Sequence, residues 1–459
     1  MRNQGRKLLT QALSVGLVLA MAGSLAACGG ASSVSPVSGV LPGTQTANTK
    51  HSDGVSPDTV GPVFGGGSTF ISLVERSWMD CYGVAIAPGT CSAATVNPNT
   101  QLLYAAVGSG NALTAFLTQT PATSSPSNPP PFTSPLFPNY PYSEWDYSAS
   151  DAPLSTTQIS QYASTDQAQR GNAIELPITA DGVAIPYNPS GLTVPSGGLQ
   201  LSVDTLCGIF GGGITNWNDS HITADNNGVQ VSSNLPILVV YRADGSGTTF
   251  LTENHLNTAC ASTSFPWPGG AASTTWTGPT GAGFQGETGS QGVAGEVAAT
   301  AGALGYVGPS FLGPPNNIPS ANLQDNYALT HPTAPKQYYA VSTNTILTAL
   351  KKVTLPSNPT PTDILNDTIV PDSPTKAAWP IAGFSYMDFY QCYASKAVKN
   401  HSVGFVQWVT STKLAEGQSL ADKIVVGLGV AYLPATLKTI TFHAMNQVVQ
   451  GPVAGVCTI

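Results

Sequence analysis

Apolar runs and glycine-rich turns alternate along this chain in a repeated order. Val63-Phe64, after Pro62, leads into Gly65-Gly-Gly-Ser-Thr-Phe70 and an amphipathic stretch to about Cys81. Leu102-Leu-Tyr-Ala-Ala-Val107 leads into Gly108-Ser-Gly110 and a run ending near Leu117. Leu235-Pro-Ile-Leu-Val-Val-Tyr241 leads into Arg242-Ala-Asp-Gly-Ser-Gly-Thr-Thr249 and a run to about Leu256. Each reads as strand, tight turn and helix start. Strands alternating with helices predict an α/β architecture. In open α/β sheets, such turns line the crevice at the carboxyl ends of the strands.

Three segments break the rhythm. Residues 1–28 read as a targeting segment: Arg2, Arg6 and Lys7 form a positive region, Leu8–Gly23 an apolar one. Leu25-Ala-Ala-Cys28 follows and resembles a bacterial lipobox, with Cys28 as the lipidated mature N-terminus; ordinary secretory cleavage near an Ala-x-Ala-like site is the alternative. Residues 29–60, mostly Ser, Gly, Thr, Pro and Val, read as a flexible tether. Residues 119–143 hold eight prolines and read as an irregular or polyproline-II-like insertion projecting away from the crevice.

Composition narrows the chemistry. A chain of 459 residues suits two or three domains. Only 9% of the residues are charged, and the net charge is −8. Such a chain has no broad positive field with which to recruit nucleic acid or an anionic membrane surface. Between Lys50 and Lys336 the only basic residues are Arg76, Arg170 and Arg242. Apart from Cys28 there are six cysteines, an even number that suggests up to three disulfides in an oxidising compartment. The expected pairs are Cys81–Cys91, Cys207–Cys260 and Cys392–Cys457. No Cys-x-x-Cys pair occurs and the six histidines are dispersed, so neither a zinc site nor a thiol redox site is expected.

The turns supply a candidate anion site. Backbone N–H groups at helix starts, hydroxyls and one guanidinium together suit a small tetrahedral anion. Thr69 and Phe70 stand in the first turn, Ser109 and Gly110 in the second, and Arg242, Ser246, Gly247 and Thr248 in the third. Asp244 is placed to steer the Arg242 guanidinium. Asp151, just past an expected strand, adds a carboxylate, which can only accept a hydrogen bond when ionised. That residue makes sense if the ligand still carries a proton: phosphate does, and sulfate does not. Taken singly, each feature has a plain structural alternative. Asp151-Ala-Pro suits a turn or helix cap, Gly108-Ser-Gly110 a common turn, and Arg242–Asp244 an ordinary ion pair.

These residues resemble the extracytoplasmic phosphate-binding proteins of phosphate-specific ABC importers. Gly65-Gly-Gly-Ser-Thr-Phe70 is similar to the family's Gly-x-Gly-x-Thr-Phe opening, and Val107-Gly-Ser-Gly110 to its Ile-Gly-Ser turn. Ser148-Ala-Ser-Asp-Ala-Pro-Leu154 resembles its Gly-Ala-Ser-Asp-Ala-Pro segment, and Arg242-Ala-Asp-Gly-Ser-Gly-Thr248 its central motif. Leu206–Asp219, Gly302–Val307 and Ala378–Ile381 resemble further landmarks in order. The resemblance implies phosphate contacts from Thr69, Phe70, Ser109, Asp151, Arg242, Ser246, Gly247 and Thr248. It also implies a two-lobed periplasmic-binding-protein fold of type II, with the cleft between the lobes and a two-crossover hinge. One lobe would be 61–180 with 380–459, the other 181–379. The implied protein is a lipid-anchored, extracytoplasmic monomer that needs no cofactor and hands phosphate to an ABC permease. The Pro-rich insertion, the six cysteines and the scarcity of basic residues depart from the usual pattern.

Two other functions fit parts of the chain. One is a secreted phosphatase-like protein using the same cleft. No Gly-x-Ser-x-Gly elbow, His-Glu-x-x-His or Walker A lysine supports it. The other is a surface protein of the same fold without a transport role, suggested by the tether and the insertion.

Overall fold

The computed structural model describes residues 63–82, 102–120, 122, 126, 140–370, 372–411 and 419–459. The targeting segment, Cys28, the tether, Cys91 and most of the 119–143 insertion lie outside the described residues.

Two sheets organise the chain. The first is built from β1 (Val63–Gly67), β2 (Leu102–Ala105), β3 (Tyr147–Ser150) and two longer strands, β4 (Ala173–Gly182) and the late β8 (Ala382–Tyr390). Its order is β2-β1-β3-β8-β4, parallel except for β8, which runs antiparallel to both β3 and β4. The second sheet holds β5 (Leu238–Arg242) between β6 (Phe284–Glu287) and β7 (Ala303–Gly305), all parallel. Three helices follow strands in the way the apolar periodicity predicts, α1 (Ser72–Cys81), α2 (Ser109–Thr118) and α3 (Gly247–Ala259), and a fourth, α4 (Gly289–Ala299), follows β6 where the sequence reading expects none. β2 reads as an apolar run, Leu-Leu-Tyr-Ala, whereas β3, Tyr-Ser-Ala-Ser, is equally buried although half polar. Every residue of β2 and β3 is buried, as expected for a sheet covered on both faces.

The chain crosses between the sheets twice, side by side. After β4, Ala184 and Tyr187 pair antiparallel with Val307 and Leu304 at the edge of the second sheet. The return enters β8, where Ala382 pairs with Gly182 and Val183 N–H donates to Ile381 O at 2.9 Å. Trp379, fully buried, locks the crossing by donating its indole N–H to Val183 O at 3.0 Å. This is the two-lobed α/β fold with a double crossover.

One local reading changes. Gly65, Gly66 and Gly67, which the pattern assigns to a turn, continue β1. The reason is space. A Cβ on Gly66, whose φ is +155°, would lie 2.0 Å from Ala105 O, so the three glycines let β1 sit between its two neighbours. The turn therefore starts at Ser68.

Cys207–Cys260 and Cys392–Cys457 are disulfides, closing separations of 53 and 65 residues. Cys81 is disulfide-bonded as well. Of the three arginines beyond the targeting segment, Arg170 lies over the Tyr390 ring, 4.5 Å from its centroid, and does not enter the cleft. Among the described residues no helix is long and apolar enough to cross a membrane.

Candidate functional site

Five turns from the two sheets converge. Three contacts fix their meeting: Gly110 N–H donates to Gly245 O at 3.1 Å, Thr69 Oγ1 lies 3.1 Å from Ser290 Oγ, and Thr248 Oγ1 donates to Asp151 Oδ2 at 3.2 Å. Each joins a turn of the first sheet to a turn of the second. Backbone packs on backbone here: a Cβ on Gly247 would lie 2.5 Å from Asp151 N. Only glycine permits that approach.

Helix ends supply donors. The first four N–H groups of a helix have no partner within it, and the helix dipole adds partial positive charge there. At α1, α2 and α4 no side chain caps the N-terminus. At α3, Ser246 does so, accepting from Thr249 N–H at 3.2 Å.

Arg242 is the cation of the site. It is 1% exposed, and Asp244 grips it twice, with Nε to Oδ1 at 2.6 Å and Nη2 to Oδ2 at 2.5 Å. Asp244 Oδ1 also accepts from Gly289 N–H at 3.0 Å, tying the fork to the start of α4. Tyr306 supports the strand end by accepting from Arg242 N–H at 2.9 Å. The same phenol lies 2.8 Å from Thr249 Oγ1.

Asp151 is 1% exposed and accepts three hydroxyls. Ser68 and Ser385 reach Oδ1 at 2.6 and 2.7 Å, and Thr248 reaches Oδ2. Burial pushes its carboxyl above the ordinary range, while these donors and the Arg242 charge pull the other way. Every donor on it favours the ionised form.

The remaining candidates take defined places. Thr69 Oγ1 accepts from Ser290 N–H at 2.9 Å. Phe70 N–H donates to Ser68 Oγ at 3.0 Å, so its amide already has a partner. Ser246 N–H donates to Thr274 O at 2.7 Å, which leaves its hydroxyl rather than its amide for the cleft. Ser109 is 1% exposed, and its Oγ has no hydrogen-bond partner. Ser310 and Ser402 share this feature elsewhere in the chain, so what distinguishes Ser109 is its place at the start of α2, beside the turn that meets Gly245.

Sequence reasoning missed four residues: Ser68, Ser290, Ser385 and Asp181. The signal for Ser290 was present in Gly286-Glu-Thr-Gly-Ser-Gln-Gly292, a fourth glycine- and hydroxyl-rich turn. Its strand β6 is only partly buried and lacks a strong apolar run. Among the described residues, no group of three or more His, Cys, Asp or Glu side chains is arranged to hold a metal ion.

Comparison with known proteins places this geometry in a family. A family model described as a PBP superfamily domain matches residues 52–413. The chain belongs to the PBP superfamily. Among curated relatives, an alkaline phosphatase L of Pseudomonas aeruginosa is 31% identical over 258 residues. That match spans 54% of this chain and 62% of the relative, so the chain spans less than two thirds of that protein's length. The phosphate-binding protein PstS of Xylella fastidiosa is 24% identical across 84% of this chain and 89% of its own. A solved structure, the high-affinity periplasmic phosphate-binding protein PfluDING bound with phosphate, is 27% identical with a TM-score of 0.58. It covers 82% of this chain and 92% of its own.

Proposed function

We propose that this chain binds inorganic phosphate in the cleft between its lobes, outside the cytoplasmic membrane, and delivers it to an ABC importer. The observation that carries the reading is a buried Arg242, held by Asp244, close enough to the buried Asp151 carboxylate to act on it electrostatically. Arg242 attracts the anion. Asp151 accepts a hydrogen bond that only a protonated oxyanion can donate. Thr69, Ser109, Ser246, Gly247 and Thr248 are the further contacts, with Gly110 and Asp244 in support; Phe70 joins them by turning its N–H from Ser68 Oγ to the ligand. The phosphate-binding relatives favour the same ligand.

The lobes in this reading are 61–180 with 380–459, and 181–379, joined at the double crossover. Ligand binding closes one on the other, and the permease reads the closed form. Cys28 anchors the monomer to the membrane through lipid.

The alkaline phosphatase relative raises a second reading, hydrolysis of phosphate esters in the same cleft. A serine nucleophile needs an adjacent base, and among the described residues Ser109 Oγ has no hydrogen-bond partner. Binding without turnover is therefore preferred.

The test is calorimetric titration of phosphate into protein stripped of ligand by unfolding and refolding, with sulfate as competitor. Tight one-to-one binding that ignores excess sulfate is expected. No heat from properly folded protein removes the receptor reading in favour of a surface protein of the same fold. Turnover of a chromogenic phosphate ester, lost in Asp151→Asn, favours the phosphatase.

A further inference from the structure

A single hydroxyl lies between two buried carboxyls. Ser385 Oγ is 2.7 Å from Asp151 Oδ1 and 2.5 Å from Asp181 Oδ2. Ser385 and Asp181 are fully buried and Asp151 nearly so. A serine hydroxyl carries one proton and can donate it once. Two ionised carboxylates cannot both be satisfied by it; the second would face a lone pair at hydrogen-bond distance. The geometry therefore calls for one more proton, on one of the two acids.

The neighbours decide which acid holds it. Asp151 has two other hydroxyl donors, Ser68 and Thr248, and feels the positive charge of Arg242. Asp181 has Thr179 Oγ1, which donates to its Oδ1 at 2.9 Å. Its other oxygen, Oδ2, meets only Ser385. The nearby Tyr386 shares its hydroxyl with Thr368 Oγ1 at 2.7 Å. A register shift in β8 between Ser385 and Tyr386, opposite β4, re-aims Ser385 between the two acids.

We propose that Asp181 is a neutral carboxylic acid that donates to Ser385, which in turn commits its only proton to Asp151. Asp181 and Ser385 are thus positioning residues for ligand selectivity. They keep the pair's one proton on the carboxyl remote from the ligand, so Asp151 stays an acceptor. Were that proton on Asp151, its carboxyl would become a donor and would accommodate sulfate. Burial and the Asp151 charge both push the Asp181 carboxyl upward, in agreement. The consequence for selectivity rests on the phosphate reading of the cleft; the proton placement does not.

The experiment has two arms. Infrared difference spectroscopy near pH 8, roughly four pH units above an ordinary Asp pKa, reads the carbonyl stretch of neutral carboxylic acids. Wild type minus Asp181→Asn is expected to show one such band, with or without phosphate. Carbon-13 spectra of labelled aspartates in the wild type read the same proton should the variant fail to fold. In the second arm, Asp181→Asn, whose amide still donates to Ser385, keeps phosphate-over-sulfate selectivity within about twofold, whereas Ser385→Ala lowers it by about tenfold or more, about 1.4 kcal/mol. Absence of a neutral aspartic acid, or full selectivity in folded Ser385→Ala, overturns the proposal. A wild type that shows the band yet binds no phosphate overturns the receptor reading and with it the selectivity role, while the proton stays where it was placed.

Discussion

Thr248 reaches across the cleft and donates its hydroxyl to Oδ2 of Asp151 at 3.2 Å. The two residues sit 97 positions apart, on turns of different sheets. On the proposed reading this bond forms as the lobes close, and it then couples closure to the carboxylate proposed to meet the ligand. A hydrogen bond to a charged partner contributes roughly 1.5–3 kcal/mol. Thr248→Val, nearly isosteric, is expected to weaken phosphate binding by about tenfold or more, and Thr248→Ser to restore most of it. Calorimetric titration of both variants checks this.

Arg242 has no substitute. Among the described residues it is the one basic side chain on the five converging turns, and Asp244 holds its plane. Arg242→Ala is expected to remove most of the affinity, on the order of a hundredfold or more at about 1.4 kcal/mol per decade. Asp244→Asn is expected to act less, because it frees the guanidinium without deleting it. Competition titrations on the two variants separate charge from orientation. Unchanged phosphate affinity in Arg242→Ala sinks the site assignment.

Asp151→Asn changes what the cleft can accept. An amide can donate as well as accept, so its Nδ2 can satisfy a fully ionised oxyanion. Sulfate binding is expected to appear in the variant while phosphate binding weakens only modestly. Equal rejection of sulfate by variant and wild type contradicts the selector role.

Much of this site was legible because its parts are local. The Arg242–Thr248 segment, Asp151 and Ser109 each announce themselves within a few residues by glycines, hydroxyls and one charge after an apolar run. Cys207–Cys260 and Cys392–Cys457 match two of the expected pairs, although an even count implies only that bridges form and does not choose among the many possible pairings. Ser385 was not legible. It lies 234 residues from Asp151, and its role arises from the antiparallel pairing of β8 with β4 and a register shift that no local pattern announces. Asp181 reads as an ordinary strand-end acid until that pairing buries it. The glycines of β1 misled for the opposite reason: their spacing suggests a turn, yet interstrand crowding makes them strand.

Gly247 tests closure apart from chemistry. It opens α3, where alanine is a better helix former by roughly 1 kcal/mol. The same Cβ would collide with Asp151 N and, at 2.7 Å, with Ala152 N. Gly247→Ala is therefore expected to leave the stability of the ligand-free protein unchanged or slightly higher. Phosphate affinity falls by about tenfold or more, because the closed state is disfavoured. Small-angle scattering with saturating phosphate should show the wild type contracting and the variant remaining extended. Contraction equal to wild type rules out this view of the lobe contact.

Glu75 governs a different property, the stability of the first lobe against pH. It lies fully buried in α1, and neither carboxylate oxygen has a hydrogen-bond partner. Burial raises its pKa from 4.5 to about 8. The folded protein therefore holds a proton that the unfolded chain releases at much lower pH. Stability falls wherever the folded state binds more protons than the unfolded one. The Glu75 contribution is thus fully present below about pH 4.5, declines as pH rises, and is lost by about pH 8. The loss is on the order of a few kcal/mol, since each tenfold change in a group's acidity between the folded and unfolded states is worth about 1.4 kcal/mol. Glu75→Gln keeps the shape and removes the titration. Denaturant unfolding of wild type and variant across that range should show the wild type losing stability as pH rises and the variant losing less. At alkaline pH the variant should be the more stable of the two. Parallel curves for the two proteins would mean that Glu75 is solvated in the folded state, contrary to its burial.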